Sequence, residues 1–160
     1  MGGLSMTTTV LIALVALLVS AGVQDVRTRE IANWKNAAIA LLAPLWWWGN
    51  GLSLWPDMVV QLGLAVLVFA LFIAAFHFGW MGGGDVKMIG ALALWLPLQP
   101  LLAMLTAMSL LGGVLTLLLL VDRALRRRTG QIEVPYGVAI AIAALFVLRE
   151  PLFNHLGGNA

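Results

Sequence analysis

VKMIGALALWLPLQPLLAMLTAMSLLGGVLTLLLLV, residues 86–121, is the stretch on which the fold turns. Its 36 residues would make a helix roughly 54 Å long at about 1.5 Å per residue. A bilayer's hydrocarbon core is only about 30 Å thick, so one straight span is too long. Pro97 and Pro100 break the run near its middle. Two spans result, a short one to about Leu96 and a longer one from about Leu101. Working outward, three further apolar runs precede it, at 4–23, 37–49 and 58–78, and one follows at 135–148. The total is about six transmembrane helices in an all-α, polytopic membrane protein.

The positive charges agree with that count. With six spans, Arg27, Arg29, Lys35, Lys87 and the arginines at 123, 126, 127 and 128 all fall on one side, and only Arg149 falls opposite. Such a bias marks the cytoplasmic face. A single span at 86–121 would move the arginine cluster outside. The first run has no Lys or Arg before Arg27, which excludes the basic n-region of a secretory signal and predicts a retained span. Trp46, Trp47, Trp48 and Trp55 bracket the turn around Asn50, and Trp34 and Trp80 lie beside the opposite loops, as expected for interfacial belts.

Composition says the same. Of 160 residues, 62% are hydrophobic and 10% charged, against roughly 25% charged in a soluble domain. A net charge of +2 gives little support to nucleic-acid binding. The absence of cysteine excludes disulfides, thiolate metal sites and cysteine catalysis. His77 and His155 have no second ligand in helical register, so no metal site or other cofactor is expected.

Two of the seven carboxylates stand out. Asp25 follows the first span and Asp85 precedes the fourth, so two crossings return the chain to one face, the cytoplasmic one. Asp85 also suits a helix N-cap, and Asp25 could pair with Arg27 or Arg29 in a wet loop. The glycines 82, 83 and 84 favour a different role, since three in a row give up packing and suit a close backbone approach. Hydrolysis of a peptide by carboxylates needs one ionised acid to activate water and one neutral acid to polarise the carbonyl. Two such acids about 3 Å apart share a proton.

Gly82-Gly83-Gly84-Asp85 fits Gly-x-Gly-Asp, and Gly82-Gly83-Gly84-Asp85-Val86-Lys87-Met88 resembles the second motif of type IV prepilin peptidases. Asp25-Val26-Arg27-Thr28-Arg29-Glu30-Ile31-Ala32-Asn33 resembles their first motif, and Pro135-Tyr136-Gly137-Val138-Ala139 the start of their last span. The resemblance implies a GxGD-type aspartyl peptidase, with Asp25 and Asp85 catalytic, that removes the leader from prepilins or pseudopilins at the inner membrane. Gly82 and Gly84 match its backbone-approach glycines. Lys87 matches a basic position after the second aspartate, and it equally suits a snorkelling anchor. Ala32 stands where the family commonly has proline. The larger bifunctional members carry an extra cytoplasmic domain, often with paired CxxC motifs, and N-methylate the mature pilin. The chain's shortness and lack of cysteine resemble the tight-adherence (Flp) pilus enzymes, implying one domain over 1–160, cleavage without methylation, and partners limited to the substrate and the bilayer. Presenilin-like enzymes place their first aspartate after tyrosine within a helix, which Val23-Gln24-Asp25-Val26 does not match.

Two other classes remain. A transporter using Asp85 as a proton site needs polar residues along its spans, and only Gln61, Thr106, Ser109 and Thr116 offer them. A non-catalytic assembly subunit of a pilus or secretion machine would tolerate loss of both aspartates.

Overall fold

The computed structural model describes residues 5–126 and 134–157, with side chains to Asn154. Arg127, Arg128 and the His155 side chain, all weighed above, lie outside the described residues. Six helices run α1 Met6–Thr28, α2 Asn33–Gly49, α3 Val59–His77, α4 Gly83–Ala93, α5 Leu98–Arg126 and α6 Tyr136–Gly157. A π-type turn, Leu54–Met58, leads into α3.

The break in the long run falls where the prolines put it, since α4 ends at Ala93 and α5 begins at Leu98. The count of six spans needs correction. Among the described residues, four helices are long and apolar enough to cross a membrane: Met6–Thr28, Leu54–His77, Leu98–Arg126 and Tyr136–Asn154. With 17 residues α2 falls just short, and α4 has 11, about 16 Å of helix. Yet all six alternate between the same two ends. Gly49, closing α2, lies against Thr7 at the start of α1. At the same end Trp47 Nε1 donates to the Leu94 carbonyl at 2.7 Å. Gln61 Nε2 donates to the carbonyls of Ala93 and Leu96 at 2.7 and 2.8 Å. At the other end Gly84 packs on Ile31 and Lys87 Nζ donates to Asn33 Oδ1.

The short helix is the core of the bundle. From Val86 to Ala93 only Lys87 escapes burial, and α4 packs on α2, α3 and α6. Its far end would leave bare carbonyls in a dry interior, and Gln61 satisfies two of them. The outside is apolar: on α3, Val60 is 65% and Leu71 62% exposed. Such surfaces suit lipid rather than water. Gly112 of α5 packs on the ring of Tyr136, so the last 14 residues of α5, 113–126, extend past the start of α6. Of the tryptophans, Trp34, Trp48, Trp55 and Trp80 are exposed as a belt requires. Trp47 is buried instead, because its indole N–H is needed on the Leu94 carbonyl.

Candidate active site

α1 begins where Ser5 Oγ accepts from the Thr8 N–H, and it continues five residues beyond the apolar run, to Thr28. Asp25 is therefore inside the last turn of a helix and not in a wet loop. The helix closes on Arg29 in the left-handed region (φ 57°), whose N–H returns to the Asp25 carbonyl at 3.0 Å. This turn swings Glu30 and Ile31 across the end of the bundle. Asp25 is only 4% exposed. Its Oδ2 accepts from the Val138 N–H at 3.2 Å, at the start of the 22-residue α6. Four N–H groups at a helix start have no partner inside the helix, and the macrodipole is positive there. The carboxylate of α1 is thus held by the N-terminus of α6, a contact across 113 residues of chain.

Gly137 makes that contact possible. A Cβ there would stand 2.9 Å from both Cγ and Oδ2 of Asp25 and 2.7 Å from Ile31 Cδ1. Sequence reasoning quoted this glycine within the third motif and gave it no role. The available signal was a glycine in the first turn of a helix, where it costs stability relative to alanine.

Asp85 arrives from the opposite wall. The N-cap of α4 is Gly82 (φ −69°, ψ 145°), and Asp85 is the third helical residue rather than the cap. Its Oδ2 folds back over Gly82, where a Cβ would come within 3.1 Å. The three motif glycines serve the protein's own chain. Gly82 makes room for Asp85, Gly83 packs on Phe76, and Gly84 packs on both backbone and side chain of Ile31. All three also line the cavity. Asn36, buried on α2, fixes this segment by donating from Nδ2 to the Gly84 carbonyl at 3.0 Å.

Asp25 and Asp85 share one cavity of about 310 Å³ with Arg29, Glu30 and Asn33. An adjoining space of about 600 Å³, reaching Trp80, Val134 and Tyr136, is bordered by both aspartates as well. Burial, followed by the charge of Asp25, pushes the Asp85 carboxyl up to about 7, against a smaller opposing hydrogen bond from Gly82. Carboxylates that feel each other in a shared recess can hold one proton between them at neutral pH. Lys87, two residues further along α4, lines neither space; it faces a groove between α2 and α3 and binds Asn33 Oδ1 at 2.8 Å. Among the described residues, no three His, Asp or Glu converge as a metal would require.

The polar groups that a transport path would use are otherwise engaged. Thr106, Ser109 and Thr116 each bond a carbonyl of their own helix, four residues back, and Gln61 caps α4.

No curated protein and no solved structure matches the chain. The type IV leader peptidase family matches residues 12–117, well over half of the sequence, from within α1 through most of α5. That stretch carries both aspartates and the glycines before Asp85, while the α6 residues that hold Asp25 lie beyond it. With the family's match laid over the helices that bring the two acids to one recess, this multi-pass, all-helical membrane protein belongs to the type IV leader peptidase family.

Proposed function

We propose that the chain is an aspartyl endopeptidase that cuts the leader from prepilins or pseudopilins of the Flp-like kind, at the cytoplasmic face of the inner membrane. The observation that carries the reading is the shared recess of Asp25 and Asp85, at the bundle end where Arg27, Arg29 and Lys87 also lie. An excess of basic residues favours the cytoplasmic side for that end.

The division of labour follows from the hydrogen bonds. Asp25, facing the N–H groups of α6, is the ionised partner, and Asp85 carries the proton. Asp25 accepts a proton from a water molecule as its oxygen attacks the scissile carbonyl carbon. Asp85 gives its proton to the carbonyl oxygen, leaving a neutral gem-diol, an ionised Asp85 and a neutral Asp25. In collapse, Asp25 returns its proton to the amide nitrogen, the C–N bond breaks, and a gem-diol hydroxyl proton returns to Asp85. Both acids end as they began. Gly82 and Gly84 line the recess in which an extended substrate passes Asp85, and Lys87 binds substrate from the groove side.

The test uses purified protein in vesicles with a single-span substrate bearing a short basic leader. Wild type should release the leader, and Asp25→Asn and Asp85→Asn should each lower the rate by at least about a thousandfold while inserting normally. Cleavage by either variant near the wild-type rate removes that residue from the mechanism.

A further inference from the structure

Four ionisable side chains border both spaces around the catalytic pair: Asp25, Asp85, Arg29 and Glu30. With the proton on Asp85, three charges remain. Arg29 follows Asp25 by one helical turn, its N–H bonds the Asp25 carbonyl at 3.0 Å, and its positive charge acts on the Asp25 carboxylate. Those two offset each other, and Glu30 is the charge left over. Among the described residues no ion pair includes Glu30. The chain fixes where it stands. Arg29, at φ 57°, turns the backbone, and Thr28 Oγ1 donates to the Glu30 carbonyl at 3.2 Å. The side chain itself is exposed.

An aromatic ring borders the wider of the two spaces as well. Trp80, 76% exposed, lines the 600 Å³ space together with Glu30. Phe78 braces the indole in a stacked pair with ring centroids 5.2 Å apart. Gly79, at φ 71°, makes the turn between them. The face of an indole attracts a cation, and so does an unpaired carboxylate. An exposed tryptophan suits the membrane interface alone, but one bordering the catalytic space beside a spare negative charge suits a cationic side chain.

The substrate supplies such a side chain. The leader of a single-span substrate lies on the cytoplasmic side of its helix, where membrane proteins concentrate Lys and Arg. Cations therefore precede the apolar helix. Glu30 borders both spaces, so a leader that leaves the acids through either one passes it. An extended chain advances about 3.3–3.6 Å per residue, so the three residues before the cut bond cover roughly 10 Å.

We propose that Glu30, with Trp80 on the border of the same space, forms the subsite for a Lys or Arg of the leader just before the bond that is cut. The proposal rests on the leader-peptidase reading and adds which residue selects the leader. The Glu30 carboxylate accepts from the ammonium or guanidinium group, and the indole face packs on the cation or its stem.

The test compares substrates that differ at one leader position. A single Lys is moved through the three residues before the cut bond of an otherwise uncharged leader, and Gln replaces it in the reference substrate. In vesicles of phosphatidylcholine, wild type should show a kcat/KM about tenfold higher for Lys than for Gln at one of those positions. Glu30→Gln should bring that ratio close to one, and Glu30→Lys should invert it in favour of a leader with Glu there. Trp80→Leu should lower the ratio about threefold. Glu150→Gln, at the opposite end of the bundle, should keep the wild-type ratio. Each ratio is taken within one variant, so a variant with less folded protein still reports. Equal rates for Lys and Gln leaders in wild type, or a Lys preference that Glu30→Gln leaves intact, would each overturn the subsite. A preference seen only when phosphatidylglycerol is added would belong to the lipid and would overturn it as well. Wild type that cuts none of the substrates would overturn the leader-peptidase reading and the subsite with it, whereas cutting without preference overturns the subsite alone.

Discussion

Adding one methyl group at Gly137 should slow leader release about ten- to a hundredfold without weakening the fold. The new Cβ would lie 2.7 Å from Ile31 Cδ1 and 2.9 Å from the Asp25 carboxylate. The Ile31 contact is with the end of a side chain, which can turn aside. The carboxylate cannot move without giving up its bond to the Val138 N–H, already 3.2 Å long. Relief to an ordinary contact requires a shift of about half an ångström, enough to break a bond of that length. Hydrogen bonds to a charged group contribute about 1.5–3 kcal/mol, so Gly137→Ala should cut kcat by about ten- to a hundredfold. KM should change far less, because the added methyl acts on the reacting carboxylate. The helix itself should gain, since alanine is favoured over glycine by up to about 1 kcal/mol. The assay is leader release in vesicles, with helix content and thermal unfolding in detergent measured alongside. A Gly137→Ala protein with wild-type kcat would refute the argument that α6 orients Asp25. A protein that loses helix content would show that the glycine serves packing alone.

Three further outcomes follow from the same geometry. The Asp85 carboxyl, raised from 3.8 to about 7, is neutral below that pH and ionised above it. The proton it supplies is thus present at pH 6 and lost as pH rises, so kcat/KM should fall about tenfold per unit above pH 7; a rate flat to pH 9 would count against Asp85 as the acid. Gln61→Leu strips two hydrogen bonds from the carbonyls that end α4, and should destabilise the protein by about 2–4 kcal/mol in thermal unfolding, whereas an unchanged midpoint would deny Gln61 its capping role. Asn36→Ala frees the Gly84 carbonyl and loosens the segment that carries Asp85, so kcat should fall in leader release, and an unchanged kcat would place Asn36 outside the machinery.

The parts of this protein that could be read from its sequence were those set by local chemistry. Pro97 lies in the break between α4 and α5, and Pro100 is tolerated in the first turn of α5, where its missing N–H would have no partner in the helix. Asp25 and Asp85 were marked by their motifs, and helix parity sent them to one end. What could not be read depends on contacts between distant segments. Apolarity alone does not separate a helix facing lipid from one enclosed by its neighbours, so α4 counted as a span when it is an 11-residue core. The end of α1 was placed at the first polar residues, but Asp25 is buried by α6, and burial lets the helix run on to Thr28. Gly137 was invisible as a site residue for the same reason, its meaning lying in a carboxylate 112 positions earlier. Trp47 followed the belt rule by position and broke it because the Leu94 carbonyl needed a donor.

The claim beneath all of this is that Asp25 and Asp85 act as one titrating unit. Carbon-13 labelling of aspartate, with the Asp85 signal assigned through its Asn variant, allows each carboxyl to be titrated in the intact protein. The account predicts that Asp85 titrates near 7, and that Asp25→Asn moves it clearly downward by removing a neighbouring negative charge, though not to 3.8, since burial remains. A midpoint that ignores Asp25→Asn would mean that the two acids do not sense each other, and would contradict the shared site.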